Sequence, residues 1–138
     1  MILPDFRIGL LFGLLIVSTP ALAVESAAPL PRFAALRSDE VNLRAGPGSQ
    51  YPVEWVFLRR SLPIEITAEY GHWRKVRDAD GSEGWVHKSL LTGRRSVLVT
   101  GAIRILRREP DAASAAVAKL EPGVVAALLA CGDGWCRN

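Results

Sequence analysis

The sequence predicts an all-β protein whose first domain is a small five-stranded barrel. Between Val41 and Ala68, apolar residues recur at every second position, which is the period of a strand with one buried face. Glycine-containing turns separate these runs, and Asp80-Gly81 between two apolar segments indicates a hairpin. Five short strands within residues 38–92 close most economically into a barrel, because closure removes the exposed edges of a sheet.

The N-terminal segment, residues 1–23, has the pattern of a secretory signal. Arg7 precedes an apolar run over residues 8–17, and the breaker Pro20 and a small-residue triplet ending at Ala23 follow it. We expect cleavage after Ala23. A retained membrane anchor is the alternative, but a membrane-spanning helix needs about 20 apolar residues. The mature protein is therefore predicted to be periplasmic or secreted, with no stable membrane span after cleavage.

The composition excludes several classes of protein. The chain has 138 residues, an apolar content of 49% and a formal charge of +3, and much of the apolar content lies in residues 1–23. The remainder is ordinary in composition, which excludes a multi-span membrane protein, a disordered chain and a strongly basic tail that binds nucleic acid. Its length accommodates one ordinary domain or two very small ones and excludes a large enzyme. We therefore expect no nucleic-acid partner.

The first two segments of the mature chain are predicted to be a linker and a barrel. Residues 24–37 contain Pro29 and Pro31 and show no alternation, so they are assigned as a linker. The barrel domain is predicted to span residues 38–96.

Three motifs in the barrel segment carry a resemblance to a known family. They are VNLRAGPG at residues 41–48, WRKV at residues 73–76 and GWV at residues 84–86. In this order and at this spacing they resemble the bacterial SH3 (SH3b) domain family. The resemblance covers residues 38–92 and implies an SH3-like barrel. It also implies an exported binding or targeting module, of a kind often attached to cell-wall hydrolases.

A second, shorter copy of this domain is predicted over residues 97–138. The segment 106–110 repeats 43–47 at an offset of 63 residues. Four later positions repeat at an offset of 62, namely Leu120, Leu128, Ala130 and Trp135 against Leu58, Ile66, Ala68 and Trp73. A helix from Asp111 to Leu120 is the alternative, because alanine favours helices. The copy is a partial SH3-like repeat that lacks its last hairpin arm, which leaves an unpaired sheet edge.

The two cysteines, Cys131 and Cys136, flank a tight turn and are predicted to form a disulfide, as is usual in an exported protein. Free structural thiols and a catalytic thiol are the alternatives. His72 and His87 lie far from both cysteines in the sequence, so the four residues do not form a recognised zinc pattern. We expect no catalytic residue, no metal and no cofactor.

The resemblance implies a ligand groove lined by aromatic residues beside the loop that covers residues 45–52. The predicted ligand-binding residues are Tyr51, Trp73, Trp85 and Arg44. Core packing of the two tryptophans is the alternative, and nothing local separates the two. Trp55, in contrast, alternates with apolar neighbours and is assigned to the core.

The leading functional hypothesis is an exported, non-enzymatic SH3b-type module that binds a cell-wall peptide or glycan of peptidoglycan. The alternative is an accessory or regulatory subunit that docks on an envelope enzyme or another envelope protein by strand addition. A hydrolase with its own catalytic site is the third hypothesis, and it lacks a recognisable nucleophile and base.

Overall fold

The computed structural model describes residues 28–138, which contain thirteen β-strands, one 3₁₀ turn and no α-helix. The first seven strands are β1 (Arg32–Leu36), β2 (Val41–Arg44), β3 (Val53–Phe57), β4 (Pro63–Tyr70), β5 (Trp73–Arg77), β6 (Glu83–His87) and β7 (Leu91–Thr92), with the 3₁₀ turn at Lys88–Leu90. The others are β8 (Ser96–Leu98), β9 (Arg104–Arg107), β10 (Ala116–Leu120), β11 (Val125–Ala127), β12 (Ala130–Gly132) and β13 (Trp135–Arg137). The predicted all-β, SH3-like fold is confirmed. The predicted signal segment and its cleavage site at Ala23 lie outside the described residues.

The first repeat is one antiparallel sheet with the order β3-β2-β6-β5-β4-β1-β7. The five predicted strands are β2 to β6. Strand β6 is the topological centre, because it lies between β2 and β5 and pairs with both. The predicted hairpin joins β5 to β6. Its turn is held by the Asp78 carboxylate, which accepts hydrogen bonds from the backbone N–H groups of Asp80 and Ser82 at 3.0 and 2.8 Å.

The curled sheet encloses a single apolar core. Except on β1, the core members alternate along their strands with exposed or half-exposed residues, as a sheet with one buried face requires. The buried cluster comprises Ala34, Leu36, Val41, Leu43, Phe57, Ile64, Ile66, Val76, Val86 and Leu91. Val76 and Val86 are 0% exposed, so the two strands that form the predicted hairpin supply the centre of the core.

Strand β1 corrects the predicted linker over residues 24–37. Residues 32–36 form a strand that pairs with β4 on one side and β7 on the other. Ala34, Ala35 and Leu36 are all buried, at 7%, 1% and 0% exposure. Because three consecutive residues are buried, the alternation by which a half-exposed strand is recognised does not occur.

Trp55 corrects the predicted core assignment on β3. Leu43 opposes Trp55 and Arg44 opposes Val53, so the register shifts and Glu54 is the extra residue of a β-bulge. The bulge lies before Trp55, which still opposes the buried Leu43 and shares a face with Phe57. Trp55 is exposed because β3 is the edge strand of the sheet and pairs with β2 alone. Trp55 is 58% exposed and Val53 is 42% exposed, and Phe57 is the buried member of the strand.

The second repeat reproduces the strand pairing of the first. Ala116–Leu120 is a strand, so the alternative helix over residues 111–120 is wrong. Strand β8 pairs with β11 as β1 pairs with β4, and β9 pairs with β10 as β2 pairs with β3. Strand β12 pairs with β13 as β4 pairs with β5, so β11 and β12 together correspond to the long strand β4. The registers agree pair by pair: Val97↔Ala126 matches Ala34↔Ile64, Arg104↔Leu120 matches Val41↔Phe57, and Gly132↔Trp135 matches Tyr70↔Trp73.

This register corrects one position of the predicted alignment. Leu120 corresponds to Phe57 at an offset of 63, and not to Leu58 at 62. The second repeat is therefore one residue shorter than the first. The missing residue lies between Leu120 and Val125, in the connection between β10 and β11. Strands β8 to β13 correspond to β1 to β5, and within residues 28–138 no strand corresponds to β6 in the second repeat.

The predicted disulfide between Cys131 and Cys136 is present. These two residues are a cross-strand pair, and their register position is that of Glu69 and Arg74 in the first repeat. There, the Arg74 guanidinium lies 3.1 Å from the Glu69 carboxylate. A covalent link thus replaces an ion pair at the same place in the fold. A disulfide that closes a loop this short stabilises the folded state by about 2 kcal/mol, because it lowers the entropy of the unfolded chain.

We predict that Gly84→Ala destabilises the barrel by about 1–3 kcal/mol, because overpacking a well-filled core costs this much. A Cβ at residue 84 would lie 2.5 Å from Leu43 Cγ and 2.9 Å from the Arg44 carbonyl oxygen. Gly93→Ala is the matched control, since a Cβ there meets no atom within 4 Å. Denaturant unfolding measures both, and equal midpoints for the two variants would contradict the prediction.

We predict that replacing both cysteines, Cys131→Ser with Cys136→Ser, makes the β12–β13 hairpin open more easily by about 2 kcal/mol. Hydrogen exchange of amides 130–137 should then accelerate. Amides of β4 and β5 serve as the internal control, because their equivalent cross-strand pair is ionic and is untouched. Unchanged exchange in the second repeat would show that the disulfide does not limit its opening.

Candidate functional site

The outer face of β2, β6 and β5 carries the residues predicted to bind a ligand. Val86 points into the core, so the alternation of β6 turns Trp85 and His87 outward. Directly opposed residues of antiparallel strands share a face. Trp85 opposes Arg44 on β2 and Lys75 on β5. Its ring is therefore half-exposed on the outside of the sheet, between two basic side chains.

Trp73 lies on the same face, two residues before Lys75 on β5. It opposes His87, and the two rings meet edge to face with centroids 5.4 Å apart. The His72 ring lies 6.0 Å from His87, and Tyr70, opposite Trp73 on β4, is 66% exposed. Edge-to-face pairs contribute about 0.5–1.5 kcal/mol beyond their buried area. The two tryptophans are half-exposed, and neither belongs to the core cluster.

His87 has a structural partner of its own. Its Nδ1 accepts a hydrogen bond from the Ser89 backbone N–H at 3.3 Å and lies 2.7 Å from the Ser89 hydroxyl oxygen. The side chain thus caps the 3₁₀ turn that follows β6. This contact orients the imidazole ring against Trp73.

Tyr51 is positioned by the loop between β2 and β3. A Cβ at Gly46 would lie 2.5 Å from the Tyr51 ring, so the ring lies directly on the glycine backbone. Arg44 Nη1 donates to the carbonyl oxygens of Ser49 and Tyr51, at 3.1 and 2.8 Å. Tyr51 is 40% exposed. Arg44 therefore links the loop to β2 from the same face that carries Trp85.

The second repeat contains the same arginine contact. Arg107, 63 residues after Arg44, donates through Nη1 to the carbonyl oxygen of Ser114, 63 residues after Tyr51, at 2.6 Å. The arginine thus positions the loop in both repeats.

Ion pairs surround the aromatic residues. Lys75 Nζ lies 3.1 Å from the Glu83 carboxylate. The Arg77 guanidinium lies 2.6 Å from the Glu65 carboxylate, and this hydrogen bond and charge raise the pKa of Arg77 above its ordinary value. On β4, Glu69 is paired with both Arg32 and Arg74. Of the two basic residues opposite Trp85, Lys75 is thus paired with a carboxylate, whereas Arg44 donates to backbone carbonyl oxygens.

The predicted site residues are therefore placed in two groups. Tyr51, Arg44 and Trp85 are linked through direct contacts and cross-strand pairing, and Trp73 forms a second cluster with His87. Trp55 is 58% exposed and is missing from the predicted site, because an alternating pattern does not show that β3 is the edge strand of the sheet. His87 could have been found, since it lies two residues after Trp85 on the same strand and so on the same face.

Two further observations concern the cysteines and the possible metal ligands. Both cysteines are in the disulfide, and residues 28–138 contain no group of three or more His, Cys, Asp and Glu side chains that could hold a metal ion. Among these residues, no helix is long and apolar enough to cross a membrane.

The family follows from this fold and from sequence comparison. The family model described as "Bacterial SH3 domain" matches residues 37–93 and 101–137, which are the first repeat and most of the second. The chain belongs to this family, and the match falls in two segments, one in each repeat.

One curated relative is similar in sequence. It is "Putative N-acetylmuramoyl-L-alanine amidase YrvJ" of Bacillus subtilis (strain 168), 24% identical over 115 residues. The match covers 75% of this chain and 22% of the relative, so the chain spans about a fifth of that protein's length.

We predict that Arg44→Ala loosens the loop over residues 45–52 while the barrel stays folded. Loss of its two hydrogen bonds should lower the local free energy of opening by about 1 kcal/mol. Hydrogen exchange of the Ala45, Gly48 and Tyr51 amides should then accelerate roughly fivefold. The matched control is Arg107→Ala, which should affect only the equivalent loop of the second repeat. If each variant exchanged the amides of its own loop as slowly as the natural protein does, the arginine would not hold the loop.

Proposed function

We propose that the mature protein is an exported, non-enzymatic module that binds a peptide or glycan of the cell envelope, with peptidoglycan as the ligand. The observation that carries this proposal is the outward placement of Trp85 and Trp73 on one face of a closed barrel, beside the ordered loop that holds Tyr51. Fold alone does not define a function. The proposal therefore rests on this face.

The mechanism is stacking combined with hydrogen bonding. An indole ring presents a rigid apolar surface that suits the faces of sugar rings and the side chains of short peptides, and its N–H can donate a hydrogen bond at the edge. Because β6 and its neighbours hold the strand backbone rigidly, little conformational entropy is lost on binding. The adjacent basic and acidic side chains can exchange their mutual pairs for contacts with a charged ligand.

A shallow face of this kind suits weak, repeated binding. The surface lies on the outside of the sheet, so a polymer can contact it without threading into a cavity. A polymer such as peptidoglycan presents many identical sites, so weak individual contacts give sustained retention.

The family and the curated relative support an envelope location. The relative's name concerns an amidase of N-acetylmuramoyl-L-alanine, a bond of peptidoglycan, but this chain matches only about a fifth of that protein. The proposal for this chain is a periplasmic or secreted binding module without catalysis. Its export depends on residues 1–23.

Docking on an envelope protein by strand addition is the second candidate function. The edge strand β3 favours it, since β3 pairs with β2 alone in the seven-stranded sheet and four of its five residues are exposed. The two functions use different surfaces, so one protein can perform both.

We predict that Trp85→Ala and Trp73→Ala each reduce retention on purified peptidoglycan about tenfold, because the loss of one stacking contact of this size is worth about 1.4 kcal/mol. Co-sedimentation of the mature protein with purified sacculi measures retention. Sacculi stripped of stem peptides distinguish the glycan from the peptide as the ligand. The same assay reports whether the purified protein lyses the wall, and the proposal expects no lysis.

Phe33→Ala is the matched control for this experiment. Phe33 is an aromatic residue with 71% exposure on β1, and β1 is separated from β6 by β5 and β4. Its loss should leave retention unchanged. Thermal unfolding of each variant shows whether reduced retention comes from the missing ring or from an unfolded barrel. Full retention by folded Trp85→Ala and Trp73→Ala proteins would remove the support for this site.

A further inference from the structure

A cavity of about 600 Å³ lies where the first repeat meets the second. Its walls come from the end of β1, the connection between β3 and β4, the connection between β7 and β8, and strand β11. Two hydrogen bonds join the repeats at this junction. Ser96 Oγ donates to the Ser61 carbonyl oxygen at 2.6 Å, and the Arg59 guanidinium donates to the Gly123 carbonyl oxygen. The volume is within the usual range for sites that bind small molecules.

The charged side chains that line this cavity are all basic. Among residues 28–138 they are Arg37, Arg60, Arg94 and Arg95, with no aspartate or glutamate, and we call the site the arginine cavity. Of the four, only Arg60 has a carboxylate of the described chain within ion-pair distance, namely Asp39 at 3.4 Å. That pair is exposed to solvent, so it contributes about 1 kcal/mol or less and can open to admit a ligand. A cleft lined by charge of one sign attracts ions of the opposite sign.

Hydrogen bonds fix the backbone at two of these arginines. The Arg37 N–H donates to the Leu90 carbonyl oxygen at 2.8 Å, and the Arg95 carbonyl oxygen accepts from the Leu128 N–H at 2.9 Å. The guanidinium groups are thus carried by ordered backbone, so a ligand orders side chains only and loses less entropy on binding.

We propose that the arginine cavity binds a terminal phosphate group, carried by a small ester or by a lipid headgroup. A guanidinium matches the geometry of a phosphate and donates two parallel hydrogen bonds to it. A terminal phosphate has a charge of about −2 near neutral pH and several acceptor oxygens, so it can engage more than one guanidinium at once. A single carboxylate offers less charge and fewer acceptors. The hydroxyl groups of Ser61 and Thr92 also line the cavity and add uncharged donors.

The arginine cavity is separate from the face that carries Trp85 and Trp73. None of the residues that line it belongs to β2, β5 or β6. The inference therefore does not rest on the proposed peptidoglycan binding, and either function can be present without the other.

Two probes test the arginine cavity with the mature protein. The first is glycerol 3-phosphate, and saturable amide chemical-shift changes should concentrate at residues 37, 60–61 and 94–96. Glycerate presents a carboxylate in place of the phosphate and should bind at least about tenfold more weakly. The second probe is co-sedimentation with phosphatidylcholine vesicles, with and without phosphatidic acid, whose headgroup is a terminal phosphate. Binding of glycerol 3-phosphate indicates that a small ester suffices, whereas retention by vesicles with phosphatidic acid alone indicates a lipid headgroup.

A charge reversal separates a site from the general attraction of a basic protein for anions. Arg95→Glu should weaken phosphate binding at least about tenfold, because it removes a charged hydrogen-bond donor from the cavity. Arg108→Glu is the matched control, since it changes the net charge equally but Arg108 does not line the cavity. Both arginines are exposed, so both variants should fold. Binding by Arg108→Glu should match that of the natural protein.

The same variants keep the two functions apart. The Arg95→Glu protein should be retained on purified peptidoglycan normally, and the Trp85→Ala protein should bind the phosphate probe normally. Failure of peptidoglycan retention and failure of phosphate binding are thus separate results.

Three results would overturn the inference. The first is no binding of glycerol 3-phosphate up to about 10 mM together with no added retention by phosphatidic acid. The second is an equal loss of binding in Arg95→Glu and Arg108→Glu, which would identify diffuse attraction in place of a site. The third is glycerate binding as tight as that of glycerol 3-phosphate, because the cavity would then not recognise phosphate.

Discussion

The insertion of β6 between β2 and β5 is the constraint on which the rest of the first barrel depends. This strand pairs with both neighbours and buries Val86 in the centre of the core. It approaches β2 closely because Gly84 has no side chain to collide with Leu43. The same alternation that turns Val86 inward turns Trp85 outward. Core packing and the candidate ligand face are therefore consequences of one strand, and a change of register by one residue would exchange them.

Strand β6 has no equivalent in the second repeat within residues 28–138. The pairing strands of the second repeat and their registers match the first repeat, and its inner residues Leu106, Leu120 and Leu128 are half-exposed. The Arg107 contact with the Ser114 carbonyl is kept, and a disulfide lies where the first repeat has an ion pair. The loop contact of the arginine and a cross-strand link at this position therefore recur in both repeats.

Several features of the fold and the candidate site could be read from local pattern. Strands β2 to β6 follow from a period of two, and the Asp78 turn follows from the preference of Asp and Gly for turns. Three features could not be read in this way. Strand β1 has consecutive buried residues and therefore no period. The edge position of β3 leaves Trp55 exposed although it alternates with the buried Phe57. The one-residue deletion in the second repeat lies one connection later than the residue types indicate. Each depends on which strand lies alongside, and that information is not local.

The amino-acid sequence alone specifies the all-β class, the bacterial SH3 resemblance, the repeat and the disulfide, because each is encoded in short-range spacing of residue types. Tertiary structure, in contrast, sets which aromatic residues are exposed, that Arg44 positions the loop of Tyr51, and which strands pair in each repeat. These properties arise from contacts between segments far apart in the chain. A pattern of apolar residues specifies that a strand has a buried face, but only the neighbouring strands determine what covers that face and what remains open.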